Sequence, residues 1–222
     1  MKSWPIFLKL QNELAYGDTI SSSTVNDVHA GIAAGYVARV RADKDLARSL
    51  VIGPGGPSEV RALEPHLVPP LHVMTAHQPE LEIIRRECPH AVTELGDIHD
   101  MPYKSGVMGI VYASNVLEHA FAPYIALMEC RRVLVAGGVG YFVLPEFEGR
   151  DGGRGPFHLH CLNQEVWGEM LRKTGFILAD VIKVRGTEDP IGSYTHYRCI
   201  ASLPPHPHLK ILEELVTLKA SQ

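Results

Sequence analysis

From residue 49 onward the chain alternates between two hydrophobic patterns. Short unbroken apolar runs recur at SLVIG (49–53), LHVMTA (71–76), AVTELGD (91–97), GVMGIVYASN (106–115) and GVGYFVLP (138–145). Runs of this kind are expected of strands covered on both faces. Between them lie PSEVRALEPHL (57–67), PELEIIRREC (79–88) and APYIALMECRRVL (122–134), whose apolar residues follow helical spacing. The first two open on a proline, which is tolerated in a first turn because its N–H would have no partner there. The third helix is expected to stop at Gly137-Gly138. Strand–helix alternation predicts an α/β fold, a doubly wound and mostly parallel sheet with helices on both faces.

A Gly-rich connector, EFEGRDGGRGP (146–156), follows the fifth run. NQEVWGEMLRKTG (163–175) then predicts a helix. FILADVIKVRG (176–186) and SYTHYRCIASL (193–203) predict an antiparallel strand pair at one end of the sheet. Ahead of the core, Asn26 or Asp27 would cap a helix through VHAGIAAGYVARVRADKDLAR (28–48). In the tail, Leu209, Leu212, Leu215, Val216 and Leu218 keep helical spacing. The expected organisation is an N-terminal lid or helical segment over residues 1–47, an α/β domain over 48–203, and an amphipathic helix over 204–222. That last helix could serve a homo-oligomer.

Composition narrows the setting. The chain has 222 residues, 45% of them hydrophobic, enough for one sizeable core. A net charge of −4 lacks the basic footprint that nucleic-acid binding needs. Cys88, Cys130, Cys161 and Cys199 form no CxxC pair and read as free thiols in a reducing compartment. The N-terminal apolar patch is broken by Pro5, Lys9 and Asn12, and no apolar run approaches a membrane span. These features predict a cytoplasmic protein that engages neither membrane nor nucleic acid.

In a doubly wound sheet, ligands bind beyond the carboxyl ends of the strands. The residues expected there are Gly53-Pro54-Gly55-Gly56, then Thr75, Ala76, His77 and Gln78, then Gly96-Asp97-Ile98, then Ser114-Asn115 running into Val116-Leu117-Glu118-His119. Glu146 and Glu148 follow the fifth strand, where they could meet a polar substrate. Glycines let a backbone approach a ligand closely and aim its N–H groups at it. Gly-Pro-Gly-Gly is also an ordinary turn, and the polar residues after the second strand are ordinary turn residues.

Read as one series, GDIHDMPYKSGVMGIVYASNVLEHAFAPYIALMECRRVLVAGGVGYFVLPE (96–146) resembles the class I S-adenosylmethionine-dependent methyltransferases, in particular the small-molecule branch known as type 11. The likeness lies in the ordered Gly-Asp, Met-Pro, SNVLEH, Arg-Val-Leu and Gly-Gly elements, and it extends over about residues 48–203. It implies S-adenosyl-L-methionine as cofactor and a small-molecule acceptor. Gly53, Pro54, Gly55 and Gly56 would line its methionine and ribose part, and Thr75, His77 and Gln78 would face the ribose. Asp97 would accept from the adenine amino group and Ile98 would pack on the ring. Ser114 and Asn115 would border the methionyl part. The chain departs from the family pattern at Val51, where an acid is common before the first glycine, and at Pro57, where a third glycine is common. No Asp or Glu closes the second strand; Thr75, His77 and Gln78 are the expected substitutes.

Methyl transfer from a sulfonium needs orientation, and a base only for some acceptors. His119 is the first candidate base, with helix capping or packing as its plainer role. His160, which alternates with His158 in FHLHC, is the second. The two histidines with Cys161 lack a matching pair of ligands, so no metal site is expected. Trp4, Tyr16 and Tyr36 read as packing of the N-terminal segment, and His206 and His208 as part of a tail linker. A catalytically silent binding or assembly module, motivated by the missing acidic anchors, stands as the alternative. A nicotinamide dehydrogenase fits poorly: the glycine spacing is wrong, and SNVLEH has no role in one.

Overall fold

The computed structural model describes residues 29–37, 48–146, 158–185 and 193–202. Residues 29–37 form helix α1. There follow β1 (Ser49–Ile52), α2 (Pro57–Leu63), β2 (Leu71–Thr75), α3 (Gln78–Glu87), β3 (Val92–Leu95), β4 (Met108–Ser114), α4 (Pro123–Val133), β5 (Leu134–Pro145), α5 (Gln164–Lys173), β6 (Phe176–Arg185) and β7 (Ser193–Ala201). Trp4 and Tyr16, read as packing of the N-terminal segment, the acidic Glu148, and His206, His208 and the expected tail helix lie outside the described residues.

The strands form one sheet in the order β3-β2-β1-β4-β5-β7-β6. The first five are parallel, and β7 runs against both β5 and β6. This is the doubly wound, mostly parallel sheet with an antiparallel pair at one end. Alternation along each strand sorts two cores. Val51, Val73, Ile110, Tyr112, Tyr141 and Val143 face α1, α2 and α3. Leu50, Ile52, Met74, Val111, Phe142 and Leu144 face α4 and α5, where Trp167 and Leu171 are fully buried. Val51 pairs with Val73 on one side and Tyr112 on the other. It is therefore a central core residue, where a carboxylate would carry a desolvation cost.

Two expectations change. Gly137-Gly138 does not end the third helix: α4 stops at Val133 and β5 begins at once with Leu134. The glycines serve an irregular strand start instead. Met108 pairs with Leu134, but Ile110 pairs with Val139, so the β5 side carries extra residues. Gly137 takes φ +75°, and a Cβ on Gly138 would lie 2.9 Å from the Val135 carbonyl oxygen. The helix expected over 28–48 is described only over 29–37. There Tyr36 packs on Tyr141 and under the Arg198 guanidinium, as the packing reading holds. Among the described residues, no helix is long and apolar enough to cross a membrane.

Candidate functional site

The carboxyl ends of β1 to β4 converge because their neighbours pin them together. Gly53 N–H donates to the Met74 carbonyl at 2.8 Å, Gly96 N–H to Thr75 at 3.0 Å and Asn115 N–H to Val143 at 3.0 Å. Leaving β1, Gly53 and Gly55 take φ +54° and +72°, a left-handed region that suits glycine. Nothing lies within 4 Å of where a Cβ on Gly56 would sit. Open space thus lies against the backbone at Gly56, just before α2 begins at Pro57.

The β2 end holds a carboxylate that the sequence pattern does not mark. Glu80, in the first turn of α3, folds back under Thr75. The Thr75 hydroxyl donates to Glu80 Oε2 at 2.6 Å and accepts from the His77 N–H at 3.1 Å. Glu80 is 2% exposed, and its Oε1 is buried with no hydrogen-bond partner among the described residues. Burial pushes its pKa up, against the Thr75 hydroxyl and the Gly55 backbone N–H, which pull it down. The expectation that this edge lacks an acid is corrected, because a helical side chain reaches back toward the N-terminal end of its helix. An acidic residue in the first turn after the β2 loop was the available signal, and it reads equally as ordinary helix-start chemistry. Of the expected substitutes, Thr75 is committed to Glu80, His77 is half-buried with its pKa lowered by that burial, and Gln78 is exposed and donates to Glu82.

Asp97 stands after β3, 5% exposed. Its Oδ1 accepts from the His99 backbone N–H at 2.9 Å and from His99 Nδ1 at 2.6 Å. His99 Nε2 in turn accepts from the Ala122 N–H at 3.2 Å, which fixes the imidazole as the Nδ1–H tautomer. Asp97 Oδ2 is buried and has no partner among the described residues. Burial raises its pKa, but the two hydrogen bonds from His99 outweigh it and hold the carboxyl below its ordinary value. Ile98 is buried beside it. The segment is held from behind by a buried ion pair. Arg132 Nε and Nη2 meet the two oxygens of Glu129 at 2.6 and 2.7 Å, and Arg132 also donates to the carbonyls of Met101 and Tyr103. Gly96 has no room for a side chain: a Cβ would lie 2.7 Å from Met74 Sδ.

After β4, Ser114 is buried and Asn115 takes φ +53°. A short 3₁₀ turn, Leu117–His119, follows. The Glu118 backbone carbonyl accepts from both the Leu159 and His160 N–H groups, at 2.9 and 3.0 Å, and this docks residues 158–160 onto the turn. The His119 and His158 rings meet edge to face at 4.9 Å. Donor atoms of Glu118, His119 and His158 all lie within 4.8 Å of one another. Glu118 is fully buried, and burial raises its pKa to about 8. His160 lies apart from this group, with Nε2 3.4 Å from the Phe121 carbonyl. Glu146 is spent within the sheet, accepting from Thr195 and pairing with Lys183.

Residues 50–142 match the family of methyltransferase domains. A probable S-adenosylmethionine-dependent methyltransferase of Mycolicibacterium smegmatis is 30% identical over 105 residues, 46% of this chain and 41% of that protein. The chain spans less than half the length of the curated relatives it matches. Among solved structures, the N-methyltransferase NodS of Bradyrhizobium japonicum WM9 in complex with S-adenosyl-L-homocysteine superposes with a TM-score of 0.64 at 15% identity. That match covers 87% of this chain and 96% of NodS. The [4+2]-cyclase SpnF superposes with a TM-score of 0.65 at 18% identity, covering 78% of this chain and 80% of SpnF. At these identities the structural likeness speaks to the fold.

Proposed function

We propose that the α/β domain of this chain is a class I methyltransferase of the type 11 family, as the match over residues 50–142 and the 30% identical relative support, and that it transfers a methyl group from S-adenosyl-L-methionine to a small-molecule acceptor. The carrying observation is a pair of buried carboxylate oxygens, Glu80 Oε1 and Asp97 Oδ2. Both sit at the carboxyl ends of neighbouring strands, and neither has a partner among the described residues. Buried acceptors without donors are costly unless a ligand supplies the donors. Ribose hydroxyls suit Glu80 and an exocyclic amine suits Asp97. The open backbone at Gly53–Gly56 suits the methionine and ribose part, with Pro54 among its lining. Ile98 offers an apolar surface to a ring, and Ser114 and Asn115 border the methionyl part.

The cofactor supplies an activated methyl carbon when bound. The chain's own share is to orient that carbon and exclude water. Where the acceptor carries a proton that must leave, His119 or His160 takes it. The catalytically silent alternative loses part of its motive, because Glu80 supplies a carboxylate at the β2 edge.

Calorimetric titration with S-adenosylmethionine and S-adenosylhomocysteine tests the reading. Binding in the micromolar range is expected. Asp97→Ala and Glu80→Gln should each weaken it about ten- to a hundredfold, the worth of one hydrogen bond to a charged group. Unchanged affinity in Asp97→Ala would displace adenine from this site. No binding by the folded wild-type protein at millimolar ligand would sink the enzyme reading.

A further inference from the structure

We propose that Glu118, His119 and His158 form a binding site for a divalent first-row transition cation, of which zinc is the natural probe. The grouping is independent of the cofactor crevice and does not rest on the methyl-transfer reading.

Three observations carry it. First, the chemistry is apt: one carboxylate and two imidazoles are a ligand set used by zinc and other divalent transition metals. Their donor atoms lie within 4.8 Å of one another. Ligands in a tetrahedral site stand somewhat closer, roughly 3.3 Å apart for bonds near 2.0–2.1 Å, a contraction within reach of side-chain torsions. Second, Glu118 is fully buried, and both its carboxylate oxygens have no hydrogen-bond partner among the described residues. A carboxylate in that position must either hold a proton or meet a cation. Third, the backbone is organised for it. The Glu118 carbonyl receives the Leu159 and His160 N–H groups, so residue 158 is held against the 3₁₀ turn whether or not the side chains meet. That turn is fixed by the buried Leu117 and Ala120, and by the His119 N–H bond to Val116.

A cation bound tetrahedrally by these three ligands would leave one coordination position open beside the end of β4, as in sites that take water or a substrate oxygen. It would also occupy a nitrogen of His119, which leaves His160 as the base of the pair proposed above.

The test uses the full chain, freed of metal by a chelator and then titrated with zinc in competition with a chromogenic chelator. One equivalent should bind. Cobalt substitution should give the visible absorption of a low-coordinate nitrogen–oxygen site. Glu118→Gln and His158→Gln should each weaken zinc binding at least about a hundredfold, since losing even an outer partner of a metal ligand costs 10–100-fold. His90→Gln, at an exposed position, should leave it unchanged. His158 is part-exposed, so its variant keeps the test meaningful should Glu118→Gln fail to fold. Absence of stoichiometric zinc in the wild-type protein would overturn the site. So would binding with an unaltered cobalt spectrum in both variants, which would point to histidines elsewhere, such as His206 and His208. Because the readout needs no cofactor, failure here is separate from failure to bind S-adenosylmethionine.

Discussion

Arg132→Met is expected to destabilise the domain by about 3–5 kcal/mol, the usual cost of leaving one member of a buried ion pair alone. Glu129 and Arg132 are 2% and 8% exposed, and two short hydrogen bonds join them. The arrangement is fully used: Glu129 Oε2 also accepts from the Met101 N–H at 2.9 Å, while Arg132 donates to the Met101 and Tyr103 carbonyls. Removing the guanidinium strands a carboxylate in the core and frees two carbonyls of the segment behind Asp97. Urea unfolding would read the loss as a lower midpoint at unchanged slope. The double variant Glu129→Leu/Arg132→Met should recover part of the stability, because no buried charge is then unpaired. A loss below about 1 kcal/mol in the single variant would mean that the pair behaves as a solvent-screened surface bridge.

Acid should unfold the protein through a second polar cluster. His29 Nδ1 and His196 Nε2 are 2.9 Å apart, and His196 Nδ1 is 2.8 Å from the Tyr141 hydroxyl, all on the α1 face of the sheet. Burial lowers the pKa of His29 to about 4. Burial, with the charges of His29 and Arg198, lowers that of His196 to about 3. In the unfolded chain both return toward 6.5, so it binds protons that the native state refuses. The stability linked to this pair is therefore fully present above about pH 6.5 and is lost as pH falls toward 4 and then 3. Each histidine contributes a slope of about 1.4 kcal/mol per pH unit, and the two together up to about 2.7. Stability measured by denaturant from neutral pH to about pH 4.5 should show that slope, and His196→Gln should reduce it by roughly half. Half that slope in the wild type would mean that one ring is protonated in the native state, and a flat profile that both rings titrate as they do in the unfolded chain.

The central strands were legible because the sheet is covered on both faces there. MGIVYAS in β4 is buried at every position and carries a single polar residue, Ser114, at its end. Asp97 was legible for a similar reason, since it sits at a strand end where the backbone alone determines its place. Glu80 was not, because its role depends on a side chain reaching back from a helix to Thr75. The meeting of Glu118 with His158 was equally hidden. It depends on two backbone hydrogen bonds between segments far apart in sequence, which no local pattern records. The glycines at 137 and 138 misled for a different reason: a glycine pair suits a helix stop and a strand irregularity alike, and only the pairing of Met108 and Ile110 with β5 distinguishes the two.

The fixed tautomer of His99 has a consequence for how this sequence can change over generations. Asp97, His99 and the Ala122 amide form one chain of donors and acceptors. A substitution at 99 removes a donor from Asp97 and an acceptor from Ala122 in a single step. Asparagine or glutamine offers both functions only at a different reach. Positions 97 and 99 should therefore behave as one inherited unit, with most single changes at either purged and paired replacements strongly epistatic.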